Sequence, residues 1–389
     1  MSQNRGLLEV LSRDFFVVTV MMLFTGMCSE MLTPVMSPFS MELGADLSMA
    51  GLAGTVLGVS GMLFRPVAGM LADTIGRKKV ALAGTLLYAL AYAGYVFVQS
   101  FPQLLVLRAV QGIASCTSST AFSTIITDVV PHEHVTEGLA LSNVAGAVTM
   151  SLGPAMGLWI SGFFGERRLF LFGVLMAVIA LLFFPALRYR EPVRECSSGA
   201  RSFSPGSLLE QSALLPMFMY FLLMIDMALL NVFLPQYITA RQGGDSSVFF
   251  LVLAVGVIFT RLRIGALVER LGERTIAIAS TLIFFGCTVV FAFDISTLTL
   301  TLSGLVFGFG YGASIAVFNG AALRYCRPEK RGAANATFMM GLDIGFAVGS
   351  FAWGVVIKQL DYPATFLLAG VLTLAVIPLY LLSERRQPA

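Results

Sequence analysis

The sequence predicts an all-α integral membrane fold, with twelve transmembrane helices in two pseudo-symmetric six-helix bundles. Three observations carry that prediction. Apolar residues make up 57% of the 389 and charged residues only 12%, against about 45–50% and about 25% in soluble domains. Long uncharged stretches recur at roughly the 20 residues that a helix needs to cross about 30 Å of hydrocarbon. The second half also repeats the first at an offset of 196 residues. A soluble enzyme of this size would lack the charge to cover its surface. A net charge of +3 leaves no basic face for nucleic acid.

The elements follow in order. Between Phe15 and Met41 the only charge is Glu30, which gives span 1. Its apolar run is too long for a removable signal and no small-residue cleavage site follows it. Span 2 runs from Leu47 to Ala72. The uncharged run from Val80 is broken at Gln99-Ser100-Phe101-Pro102-Gln103, a turn separating span 3 from span 4, which continues to Thr127. Leu139 to Phe164 gives span 5 and Leu169 to Leu187 gives span 6. A polar stretch over 188–211, rich in Arg, Pro and Ser, reads as a cytoplasmic linker between bundles at 1–187 and 212–389. Six further spans are centred near Asp226, Ala254, Phe284, Phe309, Ile344 and Val371.

Orientation comes from the distribution of Lys and Arg. With the N-terminus inside, the inner segments hold eighteen and the outer loops four, so both termini are expected to be cytoplasmic. The five cysteines form no C-x-x-C pair, and four lie in apolar segments as small buried hydrophobes. The only histidines flank Glu133 as His132-Glu133-His134, without the i, i+4 spacing of a helical metal site, so no metal is expected.

The internal repeat is specific. Arg65 to Leu86 aligns with Arg261 to Leu282 with eight of 22 positions identical, including Arg65/Arg261, Gly69/Gly265 and Gly76/Gly272. The same offset places Gly112 on Gly308 and Gly153 on Gly349. Two six-span halves in parallel orientation are a recurrent transporter architecture.

Three motifs then resemble a known family. Gly69-Met-Leu-Ala-Asp73-Thr-Ile-Gly76-Arg77-Lys78-Lys79, between spans 2 and 3, is similar to the signature loop of the major facilitator superfamily. Leu105-x-x-Arg108-x-x-Gln111-Gly112 in span 4 resembles its second motif. Gly153-Pro154-x-x-Gly157 in span 5 resembles the motif of its drug/proton antiporters, although Leu158 replaces a glycine and Gly146 lies seven residues before Gly153. The resemblance implies a gating role for Gly69, Asp73, Gly76, Arg77 and Asp128, with Arg77 pairing Asp128 to hold the cytoplasmic side shut. Gly69 and Gly76 would serve a positive-φ turn or a close helix approach. Asp73 would lie near the positive ends of helices. The Gly-Pro pair of span 5 would loosen that helix and allow close packing against the opposite half.

Charges inside the spans are functional candidates, because each costs at least about 2.5–3.5 kcal/mol near the bilayer centre. Glu30 and Arg108 lie at similar depth and are able to form an ion pair, either static or switching with a proton. Asp226 and Asp343 lie near mid-membrane with no basic residue at their depth, as proton-coupling groups or as carboxyls bonded to a neighbouring helix. Glu30, Arg108, Gln111, Asn231, Gln236, Tyr311 and Asn319 are cavity candidates. The last four serve equally well as helix–helix hydrogen bonds.

The resemblance thus implies a monomeric, proton-coupled carrier of the bacterial inner membrane. It would export small amphipathic molecules by alternating access, and three acids (Glu30, Asp226, Asp343) against one base (Arg108) in the cavity favour cationic or zwitterionic substrates, or simply proton handling. A narrow-specificity metabolite, sugar or metallophore transporter of the same fold, including an importer, is the alternative. No catalytic residue and no cofactor other than the proton gradient are expected. The partners are the substrate, protons and the lipid bilayer.

Overall fold

The computed structural model describes residues 12–131, 135–191, 210–324 and 331–385, and no strand occurs among them. The His132–His134 segment, Cys196, Cys326 and most of the expected linker lie outside the described residues. The helices are α1 (Arg13–Glu42), α2 (Leu47–Ala50), α3 (Leu52–Thr74), α4 (Arg77–Val96), α5 (Phe101–Val129), α6 (Val135–Phe164) and α7 (Glu166–Leu182). After the linker come α8 (Leu214–Val232), α9 (Leu234–Ala240), α10 (Ser246–Leu271), α11 (Glu273–Val290), α12 (Thr297–Arg324), α13 (Arg331–Thr373) and α14 (Val376–Arg385). Contacts divide the chain into two compact units, one of residues 1–35 and 56–198, the other of 36–55 and 199–389.

The expected spans are helical, but span 2 is split at Gly51 between α2 and α3, and the last span passes from α13 into α14. Nine helical stretches among the described residues are long and apolar enough to cross a membrane on their own. Spans 11 and 12 run together in α13, whose helical path is broken at Asp361 (φ 69°) just before Pro363. The span 4 helix, α5, is interrupted in apolarity by Arg108, Gln111 and a run of Ser and Thr. Span 6 stops at Leu182 and passes through a short 3-10 turn at Phe184–Ala186, since Pro185 disfavours α conformation in the residue before it. Span 7 likewise ends at Val232, and Pro235 opens the short α9.

Helix starts are satisfied locally. Asp46 accepts the Met49 N–H and Asp245 accepts the Ser247 N–H, both at 2.8 Å, which supplies acceptors for otherwise orphaned donors. Gly76 (φ 112°) and Gly272 (φ 78°) turn the chain into α4 and α11 with the same left-handed geometry, where a side chain would be strained.

Close packing within each unit repeats at the 196-residue offset. A Cβ on Gly112 would lie 2.3 Å from the Leu57 carbonyl oxygen, and one on Gly308 would lie 2.4 Å from that of Leu253. The span 2–span 4 contact of the first unit is therefore the span 8–span 10 contact of the second. Thr55 Oγ1 donates to the Ala347 carbonyl at 2.8 Å within the second unit.

Candidate functional site

The signature turn is held by ionic and hydrogen bonds among helix ends of the first unit. Arg77 at the start of α4 forms an ion pair with Asp128 near the end of α5, as expected. Gly76 makes the positive-φ turn. Gly69 does not: it is helical, and among the described residues no atom lies within 4 Å of its Cβ position. Asp73 is exposed and engages an interaction partner of its own.

Two residues of the expected linker join this cluster. The Tyr189 hydroxyl donates to the same Asp128 oxygen that Arg77 holds. Glu191 Oε1 accepts the Lys78 N–H at 3.3 Å, in the first turn of α4. Their sequence gave no functional signal beyond polarity. The second unit carries a counterpart of the bridge: Arg324 at the end of α12 pairs with Glu273 at the start of α11. Under the 196-residue offset Glu273 lies on Arg77 and Arg324 on Asp128, so the bridge recurs with its charges exchanged.

Deeper in the first unit Glu30 and Arg108 do not pair. Arg108 is only 2% exposed. Its Nη1 donates to Gln111 Oε1 at 3.0 Å, and the Tyr95 hydroxyl donates to the same oxygen at 2.6 Å. Arg108 Nε and Gln111 Nε2 are buried without partners among the described residues. The guanidinium is therefore turned along its own helix toward α4, where Tyr88 stacks on Tyr92 with centroids 6.0 Å apart and Tyr92 meets Tyr95 edge to face at 5.7 Å. Glu30 borders Tyr88, and Arg108 borders Tyr92 and Tyr95.

The span 5 motif packs on span 1 of its own unit, where the sequence had suggested the opposite half. A Cβ on Gly153 would lie 2.4 Å from Glu30 Cβ, and one on Gly157 would lie 1.9 Å from the Met31 carbonyl oxygen. The missing side chains let α6 approach α1 at the level of Glu30. Pro154 lies inside α6 between the two.

In the second unit Asp226 is 1% exposed. Its Oδ2 accepts the Thr288 hydroxyl of α11 at 2.9 Å, while Oδ1 is buried without a partner among the described residues. Asp226 is the offset equivalent of Glu30. Gly349, the equivalent of Gly153, packs beside it, with a Cβ position 2.7 Å from the Ile225 carbonyl. The offset could have exposed this equivalence from sequence.

Asp343 is not the lone carboxylate expected. It has a partner, and both Asp343 and Arg261 act electrostatically on Tyr220, which adjoins Tyr311. The arginine side chain is long enough to bring its charge to the cluster from a backbone position nearer the helix end. Asn231 bonds its own helix, donating to the Met227 carbonyl at 3.0 Å. Gln236 accepts the Tyr362 hydroxyl at 3.4 Å. Asn319 is half-buried, with its Oδ1 unpartnered among the described residues.

A duplicated helical chain with acids inside its spans and a basic turn between spans 2 and 3 has the architecture of a membrane transporter. The Major Facilitator Superfamily model matches residues 18–215 and again 216–389. The chain belongs to that superfamily of integral membrane transporters, which are not enzymes, and its substrate is a small molecule. It is 28% identical to the multi-drug resistance efflux pump PmrA of Streptococcus pneumoniae, over 88% of both chains. It is 20% identical to the staphylopine export protein of Staphylococcus aureus, over 86% of this chain and 87% of that one. The nucleoside transporter NupG superposes with a TM-score of 0.77 at 16% identity, covering 96% of this chain and all of NupG. That likeness concerns the fold.

Proposed function

We propose that this chain is a proton-coupled exporter of small cationic or zwitterionic amphipathic molecules, working by alternating access. The observation that carries the reading is the equivalence of Glu30 and Asp226. One acid lies at the same repeat position in each unit, inside an apolar helix and beside a glycine contact. A carboxyl kept there against its insertion penalty is suited to taking and releasing a proton as its surroundings change. Asp343 is a third candidate for coupling. The Asp73, Arg77 and Asp128 cluster serves as the gate at one end of the first unit. Names of export and efflux proteins among the relatives favour the outward direction.

In this reading the chain acts as a monomer in a bacterial inner membrane, with both termini cytoplasmic and the proton gradient as its only energy source. A dedicated metabolite or metallophore carrier is the second reading. It is favoured by the departure of the span 5 motif at Leu158 and Gly146, and by a relative named for staphylopine export.

The test is proton movement in inside-out vesicles carrying the protein, with an acid interior and a panel of lipophilic cations, zwitterions and neutral compounds. The expected result is substrate-dependent collapse of the gradient, absent with Glu30→Gln. A silent panel would overturn proton-coupled export of this class and direct the search to uptake in right-side-out vesicles.

A further inference from the structure

The N-terminus of α4 presents an electrostatic problem. Its first turn reads Arg77-Lys78-Lys79 and contains no acid. Three cations thus crowd the helix end where the backbone already carries positive partial charge. The helix is preceded by Gly76, which has no side chain to accept an orphaned N–H. The equivalent helix of the second unit also follows a glycine, Gly272, but its first turn carries an acid, Glu273.

The missing anion comes from 113 residues away. The Glu191 carboxylate accepts the Lys78 N–H and lies over Gly76 so closely that a Cβ there would come within 2.4 Å of Oε1 and 2.5 Å of Oε2. At Gly272 no atom lies within 4 Å of the corresponding position among the described residues. The segment bearing Glu191 is itself anchored. Leu187 and Tyr189 are buried in an apolar cluster with Phe15, Val18, Phe122 and Ile125. Lys78 Nζ donates to the Leu187 carbonyl at 2.6 Å. The Arg188 N–H donates to Asp14 Oδ1 at 2.9 Å. Tyr189 shares the Asp128 oxygen bound by Arg77. Through Leu187, Arg188, Tyr189 and Glu191 the segment therefore bonds to the first turn of α1, the first turn of α4 and the last turn of α5.

We infer that Leu187–Glu191 is a strap that sets the gate of the first unit. Glu191 caps α4 in trans and Tyr189 orients the Asp128 carboxylate for Arg77. The linker's first residues are then positioning residues of the transport cycle as well as a tether. The inference draws on alternating access for its consequence in transport, and on neither the substrate nor proton coupling.

The test uses the full-length protein in lipid nanodiscs, with one spin label at the Arg77 end of each bundle, and no substrate. Double electron–electron resonance gives the fraction of molecules open at that end. Tyr189→Phe and Glu191→Ala are each expected to raise the open-to-closed ratio roughly three- to tenfold, the range for loss of one cap or one hydrogen bond to a charged group. Glu191→Asp should recover part of the change, and Arg190→Gln at the exposed neighbouring position should cause none. A protease site between 195 and 205, cleaved after reconstitution, separates strap from tether: cleavage should leave the ratio as in the intact protein. The inference is overturned if both strap variants match wild type while Arg77→Gln shifts the ratio, or if cleavage reproduces the strap variants. The readout needs no transported compound, so a failure of the export reading in vesicles would leave it standing.

Discussion

Alanine at Gly157 is expected to force α6 away from α1 and carry Glu30 with it. An ideal Cβ there lies 1.9 Å from the Met31 carbonyl oxygen, 2.7 Å from its carbon and 2.9 Å from its Cα, where ordinary contact begins at 3.4 Å. The obstructing atoms are backbone and cannot rotate away, so the helices must part by about 1.5 Å at this point. Overpacking of this kind costs about 1–3 kcal/mol, and an immovable neighbour places Gly157→Ala in the upper part of that range. Gly349→Ala, facing the Ile225 carbonyl at 2.7 Å in the second unit, should cost roughly half as much. Gly146→Ala is the internal control, because no atom lies within 4 Å of its Cβ position among the described residues. All three gain similarly from the higher helix propensity of alanine, so differences among them report packing.

Thermal unfolding of the purified variants in one detergent ranks them, and vesicle transport measures the consequence at Glu30. The expected order of melting temperatures is Gly146→Ala highest, Gly349→Ala intermediate and Gly157→Ala lowest, with transport lost chiefly in the last. If Gly157→Ala melted and transported like Gly146→Ala, the close approach of α6 to α1 would be wrong, and so would the account of the span 5 motif as a spacer that positions Glu30.

The remaining predictions concern charge. Arg77→Glu and Asp128→Arg singly place like charges at the gate and should impair transport, whereas the double exchange should restore much of it, since the second unit folds with that polarity. A double-mutant cycle on stability should give coupling of about 1 kcal/mol, and absence of rescue would show that polarity matters beyond the bridge. Glu30→Gln and Asp226→Asn should each abolish substrate-dependent proton movement while the purified protein stays folded; retention by both variants would remove these acids from coupling. Arg108→Lys cannot reproduce the guanidinium fork on Gln111 and should lower stability by about 1.5–3 kcal/mol, so an unchanged melting temperature would mean that the buried arginine network contributes nothing.

Much of the fold was legible because bilayer thickness and backbone hydrogen bonding leave helices little freedom in length. Pairwise partners were harder to read. Glu30 and Arg108 matched in depth, but depth does not fix the direction in which a side chain leaves its helix; the structure turns Arg108 toward Gln111 and Tyr95. Arg77 and Asp128 were correctly paired because their helices meet at a turn with a recognisable pattern. Tyr189 and Glu191 were overlooked because a polar stretch beyond the last apolar residue reads as linker, and no periodicity separates a docked segment from a free one. Asp343 and Arg261 both act on Tyr220, a convergence that depth along separate helices does not reveal.

The duplication explains which features survived and which diverged. Glycine against a carbonyl oxygen is a backbone contact with no substitute, and it recurs unchanged at Gly112/Leu57 and Gly308/Leu253. An ion pair is defined only by complementarity, so Arg77–Asp128 and Glu273–Arg324 satisfy one geometry with opposite signs. That freedom carries an electrostatic consequence. The copy with an acid at the helix start complements its own dipole, whereas the copy with a base there adds charge of the wrong sign. Among the described residues only the latter has a carboxylate lying over the preceding glycine, supplied by the strap. A variant of the first unit with the exchanged polarity should therefore depend less on Glu191. Glu191→Ala should open the gate roughly three- to tenfold in the native background and by a smaller factor once Arg77→Glu and Asp128→Arg are both present. Equal effects in the two backgrounds would mean that Glu191 acts on the glycine turn alone and that the helix dipole plays no part.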